Sequence, residues 1–407
     1  MSQNLCVSGW TRREALRTLG LGAAAAALPE FLSAATPTFP KGAVIRTILK
    51  DYAPEDLAGG ATLFHEHMSF ADNFMTRWTA YAAETRAANA PPSAAGRGGA
   101  GRAGEPPAAG GAGRAGGSPA AVAPGPFFMQ DLALMSEELT IAKSEGIACI
   151  VDGGHADMGR DINFLRQLSV KSGMPIVAGG GFYTQPFYPK EISTTSEEQI
   201  VQALIRQVET DPIGVFGEIG SWDDMTSDER KVFRAIGKAH VATNVPIFTH
   251  TGIPGKAALQ QLDLLEDAGV KPNRIVIGHL GNLVDPNVQV QKAICRRGAF
   301  VGFDRQGGNG DAQQVPMVMA LIEAGFAENL MFSADISNAG QMKRNGGQGY
   351  AKTLTVFVPK LKAAGASDEV LRGIMQDNPR RFLAFVPKKP RPDLRRATLS
   401  GSPDTRA

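Results

Sequence analysis

Residues 59–70 read GGATLFHEHMSF, a short apolar run that ends in His65 and His67 with Glu66 between them. Such a run reads as a β-strand that delivers polar side chains to its C-terminal end. Side chains on a strand alternate faces, so Leu63, His65 and His67 are expected to point the same way. Two imidazoles pointing together are half of a metal site, or a coincidence on an exposed hairpin. What separates these readings is whether the chain repeats the form.

It repeats it seven times. "IACIVDG", "PIVAGGG", "IGVFGEIG", "VPIFTH", "RIVIGH", "AFVGFD" and "LMFSAD" are apolar runs without clean alternation, as parallel strands buried on both faces require. Helical patterns separate them. "MQDLALMSEELTIAKSEG" ends at Gly146, "TSDERKVFRAIGKAHVATN" opens on a capping Thr or Ser, and "GKAALQQLDLLEDAG" spaces its apolar residues three and four apart. Eight βα units predict an α/β fold, a (β/α)8 TIM barrel with a short N-terminal β-hairpin, whose functional residues gather where the strands end. A doubly wound open sheet is the rival, but no glycine-rich dinucleotide fingerprint follows the first strand. Gly179–Gly180–Gly181 precedes Phe182 and Tyr183 with no helix start, and reads as a tight turn or close packing.

The strand ends carry the chemistry. Strand 1 ends with His65 and His67, strand 4 with Glu218, strand 5 with His250, strand 6 with His279 and strand 8 with Asp335. Four of the six histidines in the chain thus reach one rim. Imidazole and carboxylate suit Zn²⁺ first, with Mn²⁺, Co²⁺ or Fe²⁺ as alternatives. Six ligands exceed what one catalytic ion needs; two ions about 3.5–4 Å apart, sharing a carboxylate, would use them all.

The flanks differ in kind. In "TRREALRTLGLGAAAAALPEFLSAA", Arg12 and Arg13 precede a short apolar segment that ends in small residues. Residues 1–35 resemble a twin-arginine export signal, so a periplasmic or secreted destination is expected. Residues 36–390 are assigned to the barrel and 391–407 to a flexible tail. Within the barrel, residues 86–126 are nearly all Ala, Gly and Pro, and predict a disordered insertion after strand 1. It reads as a tolerated surface insertion, with a substrate lid as the rival.

Composition excludes other classes. A net charge of +2 over 407 residues argues against nucleic acid, and no apolar run of about 20 residues predicts a membrane span. The expected partner is a small-molecule substrate, with a homodimer left open. Once Cys6 leaves with the signal, Cys149 and Cys295 read as buried small hydrophobes.

The blocks "TLFHEH", "GRDINFL", "IVAGGGFY", "VFGEIG", "PIFTHTG", "IGHLGN", "GAFVGFDRQG", "FSADIS" and "DNPRRFL" occur in order between about residues 41 and 386. Together they resemble the phosphotriesterase family of the amidohydrolase superfamily. The resemblance implies that His65, His67 and Asp335 hold a more buried metal, and His250 and His279 a more exposed one. It also implies a bridging residue on strand 4 and a metal-bridging hydroxide that hydrolyses a lactone, ester, phosphotriester or N-acyl amide, with Asp335 relaying the proton. Well-known members bridge with a carboxylated lysine, yet "DPIGVFGEIGSW" has no lysine, and Glu218 supplies the carboxylate directly. That is similar to a glutamate-bridged branch of resiniferatoxin-binding-protein-like and phosphotriesterase-homology proteins.

"GHLGN", with Asn282, looks like the lactonase-type branches, in which a residue at the place of Arg305 points to the pocket. Tyr183 is a candidate to orient a bound oxygen. His155 is a candidate pocket residue, His240 a packed structural one, and Arg160 with Asp161 a structural pair at a helix start. Two rivals stand: an exported metal-containing binding protein without turnover, and a mononuclear deaminase-like enzyme, which conflicts with a bridging carboxylate.

Overall fold

In the computed structural model, the described residues are 37–88, 126–253, 255–283, 285 and 287–392. The export segment, the body of the Ala/Gly/Pro insertion and the last 15 residues lie outside them. The first strands among the described residues are a small antiparallel pair, β1 (Ile45–Arg46) and β2 (Asp51–Tyr52), held by Arg46 donating to Asp51 at 3.2 Å. Eight parallel strands follow in sequential order: β3 (Ala61–Glu66), β4 (Ile147–Asp152), β5 (Ile176–Gly180), β6 (Ile213–Ser221), β7 (Ile247–Thr251), β8 (Ile275–Ile277), β9 (Phe300–Phe303) and β10 (Leu330–Phe332). Helices between them cover the outer face, and the result is the expected TIM barrel.

Alternation along the strands sorts two apolar layers. Phe64, Val151, Val177, Val215, Phe248, Val276 and Met331 fill the barrel interior. Leu63, Ile150, Ile176, Ile247, Ile277 and Phe332 join the layer beneath the helices, against Leu139, Leu165, Leu262 and Leu321. Polar contacts close the seam between the last strand and the first. Glu66 accepts from Ser333 Oγ (2.7 Å) and the Ala334 (2.7 Å) and Ile336 (3.0 Å) amides, while the His65 amide donates to Ser333 Oγ at 3.1 Å.

The expectation that Leu63 and His65 share a face is overturned. Leu63 packs outward and Phe64 inward, so strict alternation would send His65 out. The β3–β4 register shifts between Leu63 and Glu66, and the His65 ring lies inside, 5.0 Å from that of Phe248. An irregularity of this kind re-aims a side chain next to a site.

Helix boundaries follow local chemistry. Thr226 and Glu229 form a capping box on helix Ser227–Thr243, and Asn244, at φ 65, ends it in the left-handed conformation. Asp161 caps helix Ile162–Ser172 by accepting from the Asn163 and Phe164 amides. Arg160 does not pair with it; its guanidinium bonds the Gly179 carbonyl and Asp211. Helix Phe74–Ala88, which the sequence reading did not predict, runs into the start of the Ala/Gly/Pro segment and lays Trp78 over the barrel mouth. No helix among the described residues is long and apolar enough to cross a membrane.

Candidate metal centre

All six strand-end ligand candidates converge. Glu218, near the end of β6, lies at the middle: its Oε1 is 3.1 Å from His67 Nε2, and its Oε2 is 3.2 Å from His65 Nε2, 2.9 Å from His250 Nδ1 and 3.3 Å from His279 Nε2. Asp335 Oδ1 closes the other side, 3.2 Å from His67 Nε2 and 3.8 Å from His65 Nε2. Two ligand triads emerge, His65–His67–Asp335 and His65–Glu218–His279. His279 and Asp335 both adopt left-handed backbone, at φ 61 and φ 50. That conformation is costly for residues other than glycine, and such strain collects at functional sites.

A further aspartate organises the cluster. Asp304, directly after β9, accepts from His65 Nδ1 at 2.9 Å and from His279 Nδ1 at 2.8 Å. An ionised carboxylate only accepts, so both rings carry their hydrogen on Nδ1. Nε2 is then the atom each ring turns towards Glu218, and it offers its lone pair there when the ring is neutral, the tautomer that ligation requires. His65 Nε2 is fully buried and has no hydrogen-bond partner among the described residues. A divalent cation fits these donors. Asp304 is not singled out by the sequence reading, although it ends "AFVGFD" as Asp335 ends "LMFSAD".

Electrostatics point the same way. Burial pushes the Glu218 carboxyl up, but its electrostatic and hydrogen-bond interactions with His65, His250 and His279 outweigh it and hold it well below the usual range. Asp335 is likewise held low against burial, by His65, His67 and Arg305. Burial lowers the His67 imidazole, yet hydrogen bonds to Asp335 and Glu218 raise it to about 9; burial takes His250 down to about 4. The carboxylates therefore call for positive charge among these rings, which a proton or a metal ion can supply.

The centre opens into a cavity of about 360 Å³. Phe70, Phe74, Trp78 and Tyr183 form an aromatic wall; Arg305, Gln306, Asn309, Ser337 and Lys352 lie among the polar lining. Tyr183 Oη is 3.1 Å from His250 Nδ1 and accepts from Trp78 Nε1 at 3.1 Å. Arg305 Nε donates to Asp335 Oδ2 at 3.0 Å. Asn282 and His155 are not among the cavity residues. His155 is fully buried, 3.5 Å from Asp157. His240 packs in its helix, with Nδ1 donating to the Val245 carbonyl at 2.7 Å.

Residues 46–383 match the Phosphotriesterase family. The chain belongs to that family. It is accordingly a metal-dependent hydrolase acting on ester or related bonds. It is 31% identical over 264 residues to the phosphotriesterase homology protein of Escherichia coli (strain K12), across 62% of this chain and 89% of the relative. Human (Homo sapiens) N-acetyltaurine hydrolase is 26% identical over 275 residues, with 63% and 78% covered. A crystal structure of the Escherichia coli phosphotriesterase homology protein with phosphate in its active site aligns with TM-score 0.65 and 25% identity, covering 82% of this chain and all of that one. A resiniferatoxin-binding protein from Rhodobacter sphaeroides aligns with TM-score 0.67 and 25% identity, covering 86% and 97%. These relatives match the glutamate-bridged branch that the missing lysine pointed to.

Proposed function

We propose that this phosphotriesterase-family hydrolase holds two divalent metal ions, zinc first among the candidates, and hydrolyses a small N-acyl amide or ester. Lactones and phosphotriesters are the neighbouring substrate classes. One observation carries the two-ion reading: Glu218 faces His67 with one oxygen and His65, His250 and His279 with the other, the posture of a carboxylate shared between sites. The N-acyl amide is favoured because relatives at 26% identity are N-acetyltaurine hydrolases.

Bound by these residues, two ions would supply a hydroxide nucleophile at neutral pH and polarise a C=O or P=O group. The chain's own residues do the rest. Asp335, with Oδ1 towards the histidines and Oδ2 held by Arg305, accepts the proton released on attack. Tyr183, fixed by Trp78, offers its hydroxyl to orient the substrate oxygen beside His250. The aromatic wall excludes water from the acyl group. Arg12 and Arg13 would export the chain already folded around its metals.

Glu218→Gln tests the bridge. It keeps the shape and removes the charge that screens two cations about 3.5–4 Å apart. One of two ions should leave, and turnover should fall by more than the roughly 10–100-fold typical of losing an outer hydrogen-bond partner. Bicarbonate during metal loading should restore some activity to Glu218→Lys, whose lysine can be carboxylated, and none to Glu218→Ala. Two retained ions and near-normal turnover in Glu218→Gln would overturn the bridging role. A metal-loaded wild-type protein that binds esters and amides without cleaving any would favour the binding-protein reading.

A further inference from the structure

Two cationic side chains line the cavity, and they are engaged differently. Arg305 gives its charge to Asp335 at 3.0 Å and lies 3.3 Å from His279 Nε2, so it belongs to the metal centre. Lys352 is only 7% exposed, and among the described residues its ammonium makes no hydrogen bond or ion pair. The acids that act on it from a distance are Glu66, Asp335 and Asp311. Each is already satisfied: Glu66 by Ser333 and two backbone amides, Asp335 by Arg305, Asp311 by the Gly307 amide and Lys360. That leaves an ammonium at the cavity wall with no contact partner, a charge that an acidic group of a ligand can match.

Gln306 shares that corner. It is 1% exposed, and among the described residues neither its amide oxygen nor its amide nitrogen has a hydrogen-bond partner. Buried polar groups are nearly always paired, so an orphaned amide in a cavity wall points to a ligand. Gly307 brings the two together. It takes left-handed backbone at φ 78, and a Cβ there would come within 2.9 Å of Lys352 Cγ and Cδ. Only glycine lets the chain after Gln306 pack so closely on the lysine stem, which holds that stem against this wall.

We propose that Lys352 and Gln306 form an anion subsite that selects substrates bearing a compact acid (carboxylate, sulfonate or phosphonate) away from the bond that is cleaved. The proposal rests on the hydrolase reading for its reaction, but not for its binding. Lysine supplies charge and three donors, the glutamine amide adds a directional donor, and the aromatic wall opposite takes the apolar part of the ligand.

The probes are N-acetyl-β-alanine, its sulfonate and phosphonate analogues, and the neutral N-acetyl-β-alaninamide, each titrated calorimetrically into metal-loaded protein. Wild type should bind at least one acid more tightly than the amide, by on the order of 10–100-fold, the worth of a charge-assisted hydrogen bond. The preferred acid identifies the anion type. Lys352→Met should collapse that ratio, Lys352→Arg should keep much of it, and Gln306→Leu should weaken it in part. Circular dichroism and metal content establish that each variant is folded and loaded; if Lys352→Met is not, Lys352→Gln and Gln306→Leu carry the comparison. No acid preference in wild type, or an equal loss for acids and amide in the lysine variants, overturns the subsite. Acid-selective binding without turnover of any probe sustains the subsite and counts against amide hydrolysis; turnover without acid selectivity does the reverse.

Discussion

Asp304→Asn should damage the metal centre although Asp304 is none of the six candidate ligands. Asp304 is 1% exposed; it takes His65 Nδ1–H on Oδ2 at 2.9 Å, His279 Nδ1–H on Oδ1 at 2.8 Å, and the His279 amide at 3.1 Å. Burial pushes its carboxyl up, but His279 and His65 outweigh that and hold it far below the usual range. Asparagine has the same shape but one acceptor and one donor. Whichever way the amide turns, one imidazole meets an NH₂ group and must move its hydrogen to Nε2. That hydrogen then faces Glu218, where the lone pair has to face a cation.

Losing one outer partner of a metal-bound histidine costs about 10–100-fold in affinity or activity, roughly 1.4–2.8 kcal/mol. Reversing the tautomer comes on top, so about tenfold is a floor. Because one carboxylate serves rings on β3 and after β8, the loss in the proposed two-ion site should reach the ion near His65 or the ion near His279, depending on how the amide settles. Competition against a chromophoric chelator gives both dissociation constants, and thermal melting shows that the barrel persists. The expected outcome is one weakened binding step, with kcat/KM down at least tenfold. Two ions held within about threefold of wild-type affinity, with unchanged turnover, would refute the tautomer argument.

Three further expectations follow from other parts of the chain. Burial lowers the His240 imidazole from 6.5 to about 4. Its folded pKa is depressed, so its contribution, about 3 kcal/mol at most, is present above pH 6.5 and lost as pH falls towards 4. The melting temperature of His240→Gln should therefore fall less over that window than that of wild type, and parallel curves would refute this. Replacing Arg12 and Arg13 by lysine should strand the protein inside the cell on fractionation, because the export route reads arginine rather than charge; undiminished export would reject the assignment. Replacing residues 89–124 by a short Gly/Ser linker should leave melting temperature and metal content intact, since so Ala/Gly/Pro-rich a segment adds little to a core. Insoluble protein would show that it packs, and a changed KM alone would support a lid.

The strands were legible because each obeys one physical rule. A parallel strand buried on both faces is a short apolar run, and it stops being apolar where it reaches the solvent-facing rim. "VPIFTH" and "RIVIGH" state that directly, and topology then brings His250 and His279 to one centre. Where a local irregularity intervened, the reading failed. Alternation put His65 with Leu63, whereas the register shift after Leu63 turns it inward beside Phe248. Helix Phe74–Ala88 was missed because its alanines blend into the Ala/Gly/Pro segment and no strong apolar stripe marks it off.

Asp304 and Asp335 define the limit of such reading. Both are aspartates at the end of an apolar strand, and residue type treats them alike. Asp335, in left-handed backbone, faces His67 and the cavity; Asp304 sits behind the rings and meets their Nδ1 atoms. A carboxylate that approaches Nε2 competes for a place beside the metal, and one that approaches Nδ1 decides which lone pair the metal meets. That difference is set by the backbone angle at a single residue and by which side of an imidazole it reaches. Lys352 and Gln306 are harder still, because no strand end or helix face marks them. Their meaning comes from what is missing around them among the described residues, a counter-ion and a hydrogen-bond partner, and a missing contact exists only once the neighbours are in place.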